Sequence, residues 1–346
     1  MLQRYLDQLA AAKAYNCYGD AGGVGCNSAS SGTCGGGTTG GSWVAGVNQM
    51  LDAGTKAGGA GTVQITEGNA EPYMKNVQGY LVLGALVAPL APKYRTTNGV
   101  RSLTSQMAPA FPAVYGGHYV CTGTLFGAAD FVEPDVFVAR LAIQFSLGCQ
   151  LGWFSLGGSV GGRCNDGVSS NVDGCGDMAV YNRLVSEQHA AEIEYLNRLL
   201  GWRRQQQLLL FLQSGRLSRP LPPQQAPSFV APAHDGNGAA LLYPSGSVGP
   251  FPSLIAVAWI SASNTSLLVL CLNVRAAAGA LQAQVSINVT EHGLAVGPNG
   301  GGGVRVQALA AGGGPATDLM NTSGAVVHVA RMVPARSVVA LRLTHL

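Results

Sequence analysis

Carboxylates are scarce in this chain, which narrows the search for catalytic groups. Only 17 of 346 residues are Asp or Glu. Glu67 comes after the run Val63-Gln64-Ile65 and Thr66, and Gly68 and Asn69 follow it. Glycine lets a ligand approach the backbone closely, and an asparagine amide both donates and accepts hydrogen bonds. Glu67 is therefore the first candidate for acid–base or nucleophilic chemistry on a hydroxyl-rich ligand.

Glycoside hydrolysis needs two carboxyl groups on either side of the bond that breaks. Asp20 ends the run 14–20, and Glu71 lies four residues after Glu67. We therefore predict Glu67, Asp20 and Glu71 as the catalytic candidates. A simpler interpretation stays open, because loop carboxylates also accept hydrogen bonds from backbone N–H groups or lie exposed to solvent.

Aromatic and polar side chains near predicted strand ends complete the inventory for a sugar site. Aromatic rings offer faces on which sugars stack, and amide, imidazole and phenol groups bond to hydroxyls. The predicted substrate-binding residues are Asn69, Tyr73, Tyr115, His118 and Trp153. Trp153 also fits a core position. This chemistry calls for no metal and no cofactor.

Short apolar runs alternate with helical patterns as far as about residue 217, which predicts βα units and a parallel sheet. The predicted strands are 14–20, 63–66, 110–115 and 151–155, and the predicted helices are 43–51, 134–147 and 181–200. In such sheets ligands bind where the strands end. On the last helix Ala191, Tyr195 and Leu199 share one face, which leaves Glu192 and Glu194 off it.

The rest of the chain has a different pattern. Residues 218–228 form a proline-rich connector, and 229–346 contain short apolar runs separated by Gly, Pro and Asn. The predicted strands there are 254–260, 267–274, 282–289, 304–308, 326–329 and 337–343. Runs of this length and spacing predict an antiparallel β-sandwich.

Four segments together resemble a known family. The runs 65–73, 111–117 and 150–154 resemble successive strands of an uncharacterised domain-of-unknown-function family that is grouped with TIM-barrel glycoside hydrolases. Residues 212–220 resemble that family's passage from its last helix into a β-sandwich. The resemblance covers about residues 1–220 and implies a (β/α)8 barrel that acts on a carbohydrate. Two departures are an expanded loop after Asp20 and the lack of a histidine expected near that strand end.

The predicted fold class is α/β followed by all-β. A (β/α)8 barrel has eight strands and about 250 residues, whereas about four βα units precede the connector. We therefore expect 1–217 to be the C-terminal half of a barrel whose N-terminal half is missing. The predicted function is glycoside hydrolysis by two carboxylates, incomplete or inactive in this chain. The alternative is a non-catalytic carbohydrate-binding or structural homologue, because a half barrel exposes a sheet edge.

Composition argues against several other classes of protein. The net charge is only +3 and no basic cluster occurs, which argues against a nucleic-acid groove. Two prolines interrupt the uncharged stretch 80–92, and a polar turn divides 254–274, so we predict no membrane span. Residues 1–7 contain no apolar signal-peptide core. A secreted or lumenal location is expected only if a leader precedes this sequence.

Eight cysteines occur without CxxC spacing, which argues against a zinc ribbon. Cys26 and Cys34 flank one polar loop, and Cys164 and Cys175 flank another. Each pair either closes its loop as a disulfide, which requires an oxidising compartment, or stays unpaired. A metal site in the second loop is disfavoured, because the spacing does not match an EF-hand. The remaining apolar-flanked cysteines, Cys121, Cys149 and Cys271, are predicted to be small core residues.

Three N-glycosylation sequons begin at Asn264, Asn288 and Asn321, all in the predicted β-domain. A chain rich in Asn, Ser and Thr acquires two or three sequons by chance. The presence of these sequons in the sequence therefore does not indicate that the protein is secreted.

Overall fold

The computed structural model of the chain describes a defined set of residues. These are 3–6, 42–59, 61–67, 73–81, 110–122, 125–126, 134–151, 153–154, 189–221, 223–224, 226–232, 247–276, 279–294 and 302–346. The chain forms two compact units. Unit 1 comprises Met1–Ala85 and Tyr119–Thr122, and unit 2 comprises Leu86–His118 and Gly123–Leu346.

Unit 1 contains a parallel sheet and one long helix. Its elements are β1 (Gln3–Leu6), α1 (Ser42–Gly58), β2 (Val63–Glu67), β3 (Gly79–Leu81) and β4 (Val120–Thr122). The strands are all parallel, and their order in the sheet, β1-β2-β3-β4, is their order in the chain. Successive βα units wound in one direction produce this arrangement.

Buried polar contacts connect the elements of unit 1. The Gln64 side chain is 1% exposed, and its amide nitrogen donates to Leu51 O at 2.9 Å, Thr55 Oγ1 at 2.7 Å and Asn76 O at 3.1 Å. One side chain of β2 therefore joins α1 to the turn that precedes β3. In β3 a Cβ at Gly79 would lie 3.0 Å from Val120 O, so a larger residue there would press on the backbone of β4.

Unit 2 begins with helices and a short parallel strand pair. Its first elements are α2 (Ala110–Tyr115), β5 (Leu125–Phe126), α3 (Pro134–Ser146), β6 (Trp153–Phe154), α4 (Ala190–Arg203) and α5 (Gln206–Leu212). Strands β5 and β6 pair in parallel. Helix α3 buries residues on all sides, including Phe137, Leu141 and Phe145, which is typical of a helix inside a core.

The remainder of unit 2 is antiparallel β-structure. The strands are β7 (Arg216–Pro220), β8 (Ser228–Pro232), β9 (Ser247–Pro252), β10 (Leu254–Ile260), β11 (Ser266–Asn273), β12 (Leu281–Asn288), β13 (Val304–Ala308), β14 (Thr317–Thr322), β15 (Val326–Val333) and β16 (Ser337–His345). Six of them form one sheet in the order β14-β13-β16-β11-β10-β7. Strands β12 and β15 form a separate pair, and so do β8 and β9.

The six-stranded sheet is covered on both faces near its centre. Leu267, Val269 and Cys271 of β11 belong to the core shared with β12 and β15. The alternate residues Leu268 and Leu270 point to the opposite face, and they are fully buried too. Helices α3 and α5 contact β10 on this sheet, and α4 contacts β16. The buried Trp259 of β10 strengthens this contact, because its Nε1 donates to Ser146 O at 2.8 Å.

Buried and partly buried charges also join the helices to the β-strands of unit 2. The Arg336 guanidinium, between β15 and β16, pairs with Glu192 of α4 and lies 3.4 Å from Asp135 of α3. Asp135 also pairs with Arg275 at 2.8 Å. We refer to Asp135, Glu192, Arg275 and Arg336 as the ion cluster.

The predicted class, α/β followed by antiparallel β-structure, is confirmed at this level. Strands 254–260 and 304–308 occur with the predicted bounds. Strand 110–115 is wrong, because these residues form α2; proline is tolerated in a first helical turn, where Pro112 lies. Residues 216–220 form strand β7, so the first residues of the predicted connector belong to the sheet. The predicted strand 14–20 lies outside the described residues.

Two predictions about side chains are corrected. Glu192 was expected off the buried face of its helix, but it is buried beside Arg336. Cys121 and Cys149 are buried as predicted, yet both are disulfide-bonded rather than simple core thiols. Cys271 is the core residue that was expected; it is free, and burial raises the pKa of its thiol to about 12.

Candidate active site

Glu67 is the last residue of β2, at the carboxyl edge of the parallel sheet. It pairs with Leu81, the last residue of β3, and Leu81 pairs with Thr122, the last residue of β4. Three strands therefore end at one level. The apolar run before Glu67 predicted this position. In parallel α/β sheets this edge is where catalytic and binding residues lie.

Local hydrogen bonds and burial hold this edge together. The Thr122 hydroxyl donates to Tyr80 O at 3.0 Å, which joins the ends of β3 and β4. Tyr80 is buried, and desolvation raises the pKa of its phenol well above the usual value. Tyr80 therefore stays a neutral core phenol. The strands that end beside Glu67 therefore pack on a buried, neutral tyrosine.

Residues 73–78, which lead into β3, are held by buried contacts. Tyr73 is only 1% exposed, which leaves no ring face for a sugar. The Asn76 amide nitrogen donates to Asn48 Oδ1 at 2.8 Å, and the Tyr119 hydroxyl donates to Met74 O at 2.6 Å. These contacts fix the segment 73–78.

Tyr115 and His118 lie at the end of α2, not at the end of a strand. His118 is exposed, and its backbone N–H donates to Tyr115 O at 2.9 Å. The next strand, β4, begins after them at Val120. Both residues thus precede their strand, and the strand-end argument that selected them does not apply.

The other predicted site residues are only partly described. Trp153 begins β6, as its place in the predicted strand 151–155 implied. Asp20, Asn69 and Glu71 lie outside the described residues. Glu67 and Tyr73 belong to unit 1, whereas Tyr115, His118 and Trp153 belong to unit 2.

One candidate was missed because β1 was missed. Leu6 ends β1 and pairs with Thr66, the residue before Glu67. The next residue in the sequence is Asp7, which itself lies outside the described residues. The signal was a run of only two apolar residues, Tyr5 and Leu6, which is too short to identify a strand by alternation.

The described residues contain neither a metal-binding cluster nor a helix that could span a membrane. That part of the chain holds no group of three or more His, Cys, Asp or Glu placed to bind a metal ion. The loop 164–177, where a metal site was considered, lies outside it. Among the described helices, none has the length and apolar character needed to cross a membrane.

Comparison with known proteins found one curated relative of note. No family model matches the chain. A Monosiga brevicollis protein named "Putative glycoside hydrolase 22789" is 33% identical over 253 residues, which is 72% of this chain and 18% of the relative. The chain thus spans less than a fifth of that protein's length. This similarity confirms the predicted resemblance to glycoside hydrolases.

Solved structures with partial likeness are also glycoside hydrolases. A family 27 β-L-arabinopyranosidase from Geobacillus stearothermophilus has a TM-score of 0.40 and 9% identity, covering 86% of this chain and 54% of its own. A family 5 glycoside hydrolase from Bacteroides vulgatus has a TM-score of 0.42 and 10% identity, with 88% and 60% covered. A maltogenic α-amylase from Thermotoga neapolitana has a TM-score of 0.43 and 9% identity, with 87% and 58% covered.

Proposed function

We propose that this chain is part of a glycoside hydrolase and that Glu67 is one of its catalytic carboxylates. The observation that carries the proposal is the place of Glu67 at the carboxyl edge of a parallel sheet whose strand order follows the chain. The similarity to a protein named as a glycoside hydrolase supports the reaction class. The substrate is a carbohydrate, and the bond that breaks is an O-glycosidic bond.

The reaction needs one carboxylic acid and one carboxylate. The acid gives its proton to the leaving oxygen as the bond from that oxygen to the anomeric carbon breaks. The carboxylate either attacks the anomeric carbon or takes a proton from the water that attacks it. Glu67 fills one of these roles. The distance between the two carboxyl groups decides the stereochemical outcome. A distance of about 5–5.5 Å gives retention of the anomeric configuration, and about 6.5–9.5 Å gives inversion.

The partner of Glu67 is proposed from three carboxylates. Asp20 and Glu71 are the candidates from sequence. Asp7 joins them because it follows Leu6 in the sequence, as Glu67 follows Thr66, the residue that pairs with Leu6.

Substrate contacts are proposed for Asn69, which follows Glu67 by two residues in the sequence, and for Trp153, which begins β6. Tyr73 is better explained as a core residue, because it is buried. Tyr115 and His118 are weaker candidates, since they precede β4. We further propose that residues 1–217 form the C-terminal half of a (β/α)8 barrel. The chain-ordered parallel strands of unit 1 support this, because barrel strands follow the chain in the same way.

The test is Glu67→Gln in the longer protein with any preceding barrel strands restored. The expected result on a panel of aryl glycosides is a loss of turnover of about 100- to 10,000-fold, the usual contribution of a positioned acid or base. Sugar binding by calorimetry should change little, because Gln keeps the shape and polarity of Glu. Asp7→Asn, Asp20→Asn and Glu71→Gln, assayed in parallel, identify the partner as the second variant with a comparable loss.

Several outcomes would decide against this assignment. Unchanged turnover in Glu67→Gln removes Glu67 from the chemistry. Sugar binding by the wild-type protein without turnover of any glycoside supports the non-catalytic alternative. If Glu67 is the acid–base residue, the variant also loses one limb of the bell-shaped pH profile, which an effect on folding alone would not produce.

A further inference from the structure

The sequon Asn321-Thr322-Ser323 lies at the free edge of the six-stranded sheet. Asn321 and Thr322 end β14, and β14 is the outermost strand on its side of the sheet. Asn321 and Ser323 are both exposed. Both residues that define the sequon are therefore at the protein surface.

The register shows which way Asn321 faces and what its neighbours bind. Asn321 pairs with Arg305 of β13, next to Val304 and Val306, which face the core. Alternation along β13 therefore puts Arg305, and Asn321 with it, on the other face. The Arg305 guanidinium is engaged by Asp318, with Nε to Oδ1 at 2.9 Å and Nη2 to Oδ2 at 2.6 Å. Among the described residues, no side chain forms a hydrogen bond with the Asn321 amide.

The two other sequons have amides that already take part in the fold. Asn288 Nδ2 donates to Glu291 Oε1 at 2.9 Å, and Asn288 Oδ1 accepts from Thr290 Oγ1 at 2.7 Å. Asn264 Oδ1 accepts from Arg216 Nη2 at 2.9 Å, which joins the β10–β11 turn to β7. A glycan on Asn288 would replace a hydrogen on the nitrogen that now donates. Asn321 can carry a glycan without loss of any such contact.

An independent observation indicates the compartment in which such a modification occurs. Cys121 and Cys149 are disulfide-bonded. Disulfides persist in oxidising compartments and are rare in the cytosol. The secretory pathway of eukaryotic cells is oxidising, and it is where Asn-X-Ser/Thr sequons receive glycans.

We propose that Asn321 is an N-glycosylation site and that its glycan covers the edge of β14. The glycan donor is an oligosaccharide linked to a lipid through a diphosphate. The Asn321 Nδ2 forms a bond to the anomeric carbon, the bond from that carbon to the diphosphate oxygen breaks, and the lipid diphosphate leaves. One amide proton passes to a base of the transferase.

The glycan has a physical role at this position. An edge strand presents unpaired backbone groups that can pair with another chain. On β14 the apolar side chain of Met320 is also 42% exposed. A bulky, hydrophilic glycan on the adjacent residue hinders approach of a second strand. It replaces the charged residues or prolines that protect edges in other proteins.

The site is tested by expression of the full chain behind a secretory leader in cultured insect cells. Digestion with peptide N-glycosidase in ¹⁸O-labelled water converts each glycosylated asparagine into labelled aspartate, which mass spectrometry locates. Label at Asn321 is the expected result. Secreted, folded wild-type protein with unlabelled Asn321 would overturn the proposal.

Matched variants separate the glycan from the asparagine itself. Asn321→Gln and Ser323→Ala each remove the sequon, but only the first changes residue 321. Both should lose one glycan by mass and show more self-association in sedimentation velocity than the wild type. Asn288→Gln, which leaves the β14 sequon intact, is the control and should keep the Asn321 glycan. Equal self-association of all four proteins would refute the edge-covering role while leaving the site itself to the labelling result.

Discussion

The parallel sheet of unit 1 and the six-stranded sheet of unit 2 are stabilised in different ways. Strands of the parallel sheet have three to five residues, whereas those of the six-stranded sheet have five to nine. Central strand β11 buries apolar side chains on both faces. In unit 1 the buried amide of Gln64 joins β2 to α1 and to the turn before β3, and β3 approaches β4 closely at Gly79.

The proposed catalytic edge therefore lies in unit 1, whereas the larger buried apolar core lies in unit 2. Burial of apolar surface contributes about 25 cal/mol per Å² and has no preferred direction. Hydrogen bonds to a buried amide require exact placement, and loss of the amide leaves its partners unsatisfied. The stability of unit 1, which bears Glu67, should therefore decrease when a buried polar side chain is replaced. In unit 2 the ion cluster is the place where charge, and not apolar burial, joins the layers.

The largest effect is expected from Arg336→Met in unit 2. Among the described residues, the change leaves the buried Glu192 carboxylate with only the His189 ring, whose Nδ1 lies 3.6 Å away, and removal of one partner of a buried pair typically costs about 3–5 kcal/mol. Urea unfolding followed by circular dichroism should show this decrease. Amide hydrogen exchange should show faster exchange in α4 and β16, the elements that the pair joins.

The double variant Glu192→Met/Arg336→Met serves as its control. Apolar replacement of a whole buried pair is often neutral, so stability should largely return. Arg219→Met, which removes an exposed pair with Glu291, should change stability little. A double variant as unstable as Arg336→Met would show that packing, and not the uncompensated charge, is responsible.

A smaller effect is expected from Gln64→Leu in unit 1. The substitution removes the Gln64 donor to Asn76 O, whereas Leu51 O still accepts from the Thr55 hydroxyl at 3.2 Å; a buried carbonyl that loses its donor costs about 1–3 kcal/mol in stability. Hydrogen exchange of the amides in β2 and β3 should accelerate, while β10 and β11 keep their protection.

Gln284→Leu gives a matched control on β12, where the Gln284 side-chain amide donates to the exposed side chain of Gln282. It should leave the exchange rates of both units unchanged. If Gln64→Leu accelerated hydrogen exchange in β10 and β11 as much as in β2 and β3, the two sheets would unfold as one unit and the proposed difference between them would be wrong.

The smallest effect concerns His292, which follows β12 in unit 2. Burial lowers the pKa of His292, the Arg219 charge lowers it further, and the Glu291 charge opposes them. Its Nδ1 lies 3.0 Å from Ser218 Oγ of β7. The unfolded state therefore binds the proton more tightly. Stability from this residue is present above the unfolded pKa of about 6.5 and decreases as pH falls below it.

Urea midpoints at pH 7.5 and pH 5.5 measure this effect. The wild type should lose more stability over this interval than His292→Gln, which keeps a polar side chain but does not titrate. Identical losses in the two proteins would assign the pH dependence to other groups.

Sequence predicted the β-structure of unit 2 well, because its signals are local. Runs such as 254–260 and 304–308 are apolar or alternating and are bounded by turn residues, so their bounds were exact. The strands of unit 1 have no such signal. Gly79–Leu81 has three residues and begins with glycine, and its pairing depends on β2 and β4.

The remaining errors of the sequence prediction have causes that the local sequence does not reveal. Six mostly apolar residues at 110–115 fit a strand or a helix equally well. Glu192 could be buried only because Arg336, 144 residues later, pairs with it. Disulfide bonding of Cys121 and Cys149 likewise cannot be deduced from spacing. In the candidate site, the strand-end position of Glu67 was predictable, because it depends on the residues immediately before it.

The place of β16 in the six-stranded sheet has a consequence for synthesis on the ribosome. This strand lies in the middle of the sheet, between β13 and β11, yet it follows all the other strands in the chain. Until residues 337–345 have been made, β14-β13 and β11-β10-β7 remain two separate pieces, each with unpaired backbone groups along the edge that β16 will cover. Nascent chains with such edges are prone to aggregate. Protection by a chaperone would be needed most just before the last strand closes the gap.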